Sequence, residues 1–168
     1  TVAQAIFVTT SQTLLDAVQR EIERALATLP KADIARTATD HRGALILVRD
    51  RAEAVQVINQ VAPEHLELSI DDPEAMATAI RHAGAIFMGR YTPEAIGDYC
   101  AGANHVLPTS GTARFSSPLG VYDFQKKSSI IHCTHDGAQL LARTADILAQ
   151  HENLMAHALS ARYRVDKQ

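Results

Sequence analysis

Four short strand-like runs punctuate the chain as far as Met88: AIFVT (Ala5 to Thr9), ALILV (Ala44 to Val48) and AIFM (Ala85 to Met88) are apolar, and LELSI (Leu66 to Ile70) alternates, as a strand with one wetter face would. Each is too short for a helix, rich in β-prone residues, and followed by a stretch whose apolar positions recur at helical spacing. Strand and helix therefore alternate four times. That pattern predicts an α/β fold with a mostly parallel sheet flanked by helices, because parallel strands need a crossover and helices supply it.

The helix signals between the runs are local and chemical. Leu14, Leu15, Val18, Ile22, Ala25, Leu26 and Leu29 form one stripe, with Thr10 or Ser11 as N-cap and Pro30 just past the end. Gly43 then punctuates before the second run. Asp50 and Glu53 have capping-box spacing ahead of Ala54, Val55, Ile58 and Val61, and Pro63 stops that helix. Asp72-Pro73-Glu74 reads as N-cap, proline at the first helical position and an acid in the first turn, with Met76, Ala79, Ile80 and Ala83 facing inward. Thr92-Pro93-Glu94 repeats this start for a short helix that should end near Gly97.

The character changes beyond that point. Gly97 to Pro118 is a polar loop, GDYCAGANHVLPTSGTARFSSP, of a length that is uncommon inside compact domains unless functional or disordered. Tyr99, Val106 and Leu107 give it anchors, so an ordered functional loop is expected. After Pro118, Val121 to Lys127 reads as a turn or short helix, and Ser128 to Cys133 as extended or helical. Gly137 to Gln150 is an amphipathic helix through Leu140, Leu141, Ala145 and Leu148, followed by a helical stretch from Asn153 to Arg162. Two parts are thus expected, 1–118 and a helical extension, 119–168.

Totals exclude several function classes. Apolar residues are 46% and charged ones 21% of 168 residues, which indicates an ordinary globular domain. A formal charge of -3 with interspersed signs gives no reason to expect nucleic acid or an anionic membrane as partner. No run approaches the roughly 20 apolar residues of a membrane span. The 2 cysteines, Cys100 and Cys133, fit neither a disulfide framework nor a paired zinc pattern, and a cytoplasmic setting is expected.

Five clusters could carry chemistry. Glu64 and His65 sit side by side just after a helix-stopping proline, and an imidazole suits proton transfer at neutral pH. The alternative is an exposed loop dipeptide, and the pair precedes its strand, whereas ligands in open α/β sheets usually gather at the carboxyl ends. Asp98 and His105, within the polar loop, are competent zinc ligands. They could equally be a turn cap and a histidine packed on Val106 and Leu107. His132 and His135 bracket Cys133, but no further ligand has suitable spacing. Glu152 and His157 are five apart, about 140° on a straight helix, so they should not share one ion. Cys100 reads as a small buried thiol. No GxGxxG or Walker sequence is present, so no residue is assigned to a nucleotide.

The segments VAPEHLEL (Val61 to Leu68), GAIFMGRYTPEAIGDYCAGANHVLPT (Gly84 to Thr109), SPLGVYDFQKK (Ser117 to Lys127) and HENLMAHALSARYRV (His151 to Val165) resemble the histidinol dehydrogenase family. The resemblance covers essentially the whole chain. It implies a zinc-dependent, NAD-linked oxidation of L-histidinol to L-histidine through the aldehyde, by two successive hydride transfers. It further implies that His65 is the general base for the alcohol step and that Glu64 assists the water that attacks the aldehyde. Asp98 and His157 would be zinc ligands, with His157 delivered from the neighbouring subunit of a homodimer by the helical tail. Glu152 would contact the substrate amino group, His105 would lie in the substrate site, and His65, Asp98 and His157 would also touch substrate.

Family members are more than twice as long, and the resemblance places the missing part before Thr1. That part would carry a glutamine and a histidine completing the zinc site, and most of the cofactor site. The chain is therefore expected to be the second half of an incomplete Rossmann-like domain plus a dimerising tail, inactive alone. The alternatives are a non-catalytic dimerisation fragment or a small zinc module built on His132, Cys133 and His135.

Overall fold

The computed structural model describes residues 3–165; the outermost residues of the two expected parts, 1–2 and 166–168, lie outside them. The chain forms two compact units, Thr1–Phe124 and Gln125–Gln168. Sequence character placed the change six residues earlier, after Pro118. The 3-10 turn Val121–Phe124, whose Asp123 carboxylate accepts the Gly120 amide at 2.7 Å, closes the first unit.

In the first unit, the strands β1 (Ile6–Thr9), β2 (Ala44–Leu47), β3 (His65–Leu68) and β4 (Ala85–Met88) fall on the four strand-like runs. They pair in parallel as two ladders, β1 with β2 (Ile6 opposite Ala44) and β3 with β4 (His65 opposite Ala85). The parallel pairing was legible; its division into two ladders was not. Helix α1 (Gln12–Leu26) starts on the Ser11 hydroxyl, which accepts the Leu14 amide at 3.2 Å. A helix absent from the sequence reading, α2 (Ala32–Arg42), follows. It buries no residue fully, and Arg36 ties it back to Glu23 of α1 at 2.8 Å. That guanidinium holds the Glu23 carboxyl below its ordinary range.

Helix α3 (Arg51–Val61) has the expected reciprocal start: Asp50 accepts the Glu53 amide at 2.8 Å, while Glu53 accepts the Arg49 amide at 2.7 Å. Its end is unusual. Ala62, 1% exposed, takes a left-handed φ of 51° and turns the chain sharply into Pro63-Glu64-His65. A left-handed alanine is uncommon and mildly strained. The core beneath joins Ile58 of α3 to Leu66 and Leu68 of β3, with Ile70, Met76, Ala77, Ile80 and Ala83 packed around them. Helix α4 (Pro73–Ala77) supplies part of that cover, capped by Asp72 as its sequence predicts.

The last helix of the unit, α5 (Glu94–Tyr99), runs two residues beyond the expected stop at Gly97. Asp98 is therefore helical rather than a loop residue. The loop beyond is held in place: Asn104 accepts the Val106 amide at 2.8 Å, and the Leu119 amide donates to the Val106 carbonyl at 3.0 Å. Arg114, leaving the 3-10 turn Thr112–Arg114, donates to the Gln60 carbonyl at the end of α3 and to Gly111 at 2.8 Å.

The second unit is a helical pair, α6 (His135–His151) and α7 (Met155–Arg162), preceded by 128–134 in neither helix nor strand. Thr134 caps α6 through the Gly137 amide at 3.2 Å. The helices meet through small residues, Ala142 and the fully buried Ala158, and Arg162 grips Asp146 at 2.8 Å. That bond, with help from Gln150, lowers the Asp146 pKa, so the tie is present at neutral pH and weakens as acid protonates the carboxylate. The leucines of the amphipathic stripe, Leu140, Leu141 and Leu148, stay largely exposed, because the small residues make the contact. Among the described residues no helix is long and apolar enough to cross a membrane.

Candidate active site

Strand alternation sets up the site. Leu66 and Leu68 point into the core, so His65 and Glu67 stand on the other face of β3. The segment before them is clamped: the Pro63 and Glu64 carbonyls accept the amides of Gly84 and Ala85, each at 2.9 Å. Gly84 permits this approach, since a Cβ there would stand 2.6 Å from the Glu64 carbonyl oxygen. Glu64 and His65 are thus fixed in the backbone as a pair, at the start of β3.

Helix α5 supplies the facing wall. Its N-cap, Pro93, offers no side-chain acceptor; instead the Glu67 carboxylate accepts the Glu94 amide at 2.7 Å. The Thr92-Pro93-Glu94 signal located the helix, but its cap comes from β3, a contact no local pattern encodes. Glu94 and Asp98 lie one turn apart and share a face. Both reach His65 Nε2, Asp98 Oδ1 at 3.5 Å and Glu94 Oε1 at 3.8 Å. That nitrogen is buried and has no hydrogen-bond partner. The ring also lies against buried Phe87, with centroids 5.9 Å apart.

Gly97 sits in α5 for packing rather than as a stop. A Cβ at this position would come within 2.1 Å of the Phe87 ring. We expect Gly97→Ala to lower stability by about 1–3 kcal/mol, the usual cost of overpacking, in spite of alanine's better helix propensity. A lower melting temperature for the full-length protein checks this, and unchanged melting contradicts it.

Asp98 and His105 line one cavity of about 180 Å³, together with Phe87, Asn104 and Leu107. His105 is exposed rather than packed on its neighbours. Glu152 and His157 belong to the second unit and both are exposed. They do not share a helix: Glu152 ends α6, Asn153 turns the chain with a φ of 60°, and His157 lies in α7. His157 lines a shallow groove between α6 and α7 with Leu141 and Arg164.

Two expectations change. Cys100 is exposed, because it caps the solvent end of α5 instead of packing inward. Among the described residues, the group of three or more His, Cys, Asp or Glu ligand atoms close enough to hold an ion is His65, Glu94 and Asp98, all within 4.8 Å of one another. His132, Cys133 and His135 form no such group. In the sequence Glu94 reads only as a first-turn acid; its four-residue spacing to Asp98 is the signal that could place it here. Chemically, the cluster offers a buried imidazole nitrogen between two carboxylates, with a third acid, Glu64, adjacent in the chain.

The family model for histidinol dehydrogenase matches residues 1–165. Histidinol dehydrogenase of Psychrobacter arcticus is 75% identical over 163 residues, covering 97% of this chain and 38% of the relative. That of Acinetobacter baylyi is 73% identical over 164 residues, covering 98% and 38%. The crystal structure of histidinol dehydrogenase from Elizabethkingia anophelis matches with a TM-score of 0.84 at 33% identity, covering 96% of this chain and 37% of that one. The chain thus spans about 38% of the length of the curated relatives it matches. With both the sequence and the α/β fold matched along nearly its whole length, the chain belongs to the histidinol dehydrogenase family.

Proposed function

We propose that this chain is part of an enzyme of histidine biosynthesis that oxidises L-histidinol to L-histidine through histidinaldehyde, with zinc and NAD, and that the segment alone is inactive. The observation that carries this reading is the buried His65 Nε2 between the Asp98 and Glu94 carboxylates, next to Glu64, in a chain of this family. A base for the alcohol and a second base for the water that adds to the aldehyde are what the two oxidation steps require.

In this reading His65 takes the proton from the substrate hydroxyl. Glu64 then takes a proton from the water that adds to the aldehyde. Glu152 binds the substrate amino group, and His105 lines the substrate site beside Asp98. The donors fit zinc: Asp98 offers a carboxylate oxygen on the cavity wall, and carboxylate and imidazole are both zinc ligands. Asp98 and His157 would hold the ion. When bound, it acts as a Lewis acid on the substrate oxygen. For NAD the described residues contain no phosphate-binding loop, so no contact of this chain with the cofactor is assigned.

The tail is assigned to dimerisation and to completing the neighbour's site in a cytoplasmic homodimer. Its support is the exposed apolar stripe of α6, with Leu140 75% and Leu148 59% exposed. The test compares histidinol-dependent NADH formation by the full-length protein and by this segment. Activity in the full-length protein alone is expected. A full-length protein inert toward histidinol, or a segment active by itself, contradicts the proposal.

A further inference from the structure

We infer that Glu94 is a positioning residue for His65: its carboxylate fixes which ring nitrogen carries the hydrogen and so which one takes the substrate proton. The inference rests on the proposed role of His65 and goes beyond it.

The geometry carries the argument. A neutral imidazole has one N–H and one acceptor nitrogen, and the partner of one nitrogen decides the role of the other. Nε2 is buried and faces two carboxylates, at 3.5 and 3.8 Å, which accept hydrogen bonds and never donate when ionised. The hydrogen therefore belongs on Nε2, and Nδ1 is left as the proton acceptor. When the substrate hydroxyl gives its proton to Nδ1, the ring becomes a cation facing a carboxylate, and no second proton has to move.

Of the two carboxylates, Asp98 is nearer but is assigned to zinc, which would draw on one of its oxygens, whereas Glu94 has no other ligand assigned to it. Glu94 then remains to serve the ring. It is also anchored in a way that a casual surface acid is not. Its backbone amide donates to Glu67 at 2.7 Å, and Glu67 shares the β3 face with His65 two residues on. Base and orienting acid are thus tied to one strand, through the first turn of α5. Both distances exceed a formed hydrogen bond, as is common before substrate closes a site.

The experiment is a double-mutant cycle in the full-length enzyme, with kcat, KM and zinc content measured for Glu94→Ala, Glu94→Gln, His65→Ala and the double alanine variant. Glu94→Ala should lower kcat roughly 10- to 100-fold, the same order as the loss on removing the outer hydrogen-bond partner of a metal-bound histidine. KM and zinc content should hold. Glu94→Gln, which keeps an oxygen acceptor, should recover part of the loss. In the His65→Ala background the Glu94 effect should vanish. Losses that multiply in the double variant, a fall in zinc content, or an undiminished kcat each overturn the positioning role while the His65 reading stands. A fully active His65→Ala enzyme overturns the base reading itself and, with it, the reason to position the ring.

Discussion

Replacing His65 by alanine in the full-length enzyme should lower histidinol-dependent NADH formation by about 10² to 10⁴-fold, the range general base catalysis contributes. The fold should survive. His65 is only partly buried, its side chain 25% exposed, and its ring makes no hydrogen bond that holds β3 to β4. The backbone ladder and the Leu66 and Leu68 contacts remain when the ring is removed. Zinc content should be unchanged, because the ring is assigned to proton transfer rather than to the ion. A loss smaller than tenfold, in an enzyme with normal melting, would remove His65 from the base role.

Asp98→Ala should behave differently. It removes a carboxylate, 19% exposed, from the wall of the cavity it shares with His105. We expect zinc content after dialysis to fall and activity to drop by more than about 100-fold, beyond what the loss of a merely supporting partner costs. Asp98→Asn keeps the shape but not the charge, and should also lose metal. Full zinc occupancy in Asp98→Ala would show that the ion is held elsewhere. The contrast between the two variants, metal kept in one and lost in the other, separates base from ligand more sharply than activity alone.

What the sequence disclosed here was what is written locally. Strand-like runs of four or five residues became β1 to β4, and the caps Ser11, Asp50 and Asp72 sit where short-range patterns put them. Glu64-His65 and Asp98 stood out because proline and glycine frame them. The rest depends on residues far apart in the chain. Helix α2 has no fully buried residue to mark it and leans on Arg36 and Glu23, 13 positions apart. The cap of α5 comes from Glu67, 27 positions before Glu94. The same contact brings Glu94 to His65, and in the linear chain only its four-residue spacing to Asp98 pointed there. The α6 stripe was visible, but which face packs on α7 was decided by alanines, whose periodicity is weaker than that of the leucines beside them.

The family assignment, and the likeness of fold behind it, concern a segment covering about 38% of each relative. The site therefore has to be tested where the remaining chain is present. The most direct measurement is anomalous scattering at the zinc edge from crystals of the full-length enzyme. A peak is expected about 2.0–2.2 Å from an Asp98 carboxylate oxygen, with His157 as a second ligand and His65 beside the ion but not bound to it. A peak that leaves Asp98 uncoordinated, or one bound through His65 Nε2, would contradict these assignments.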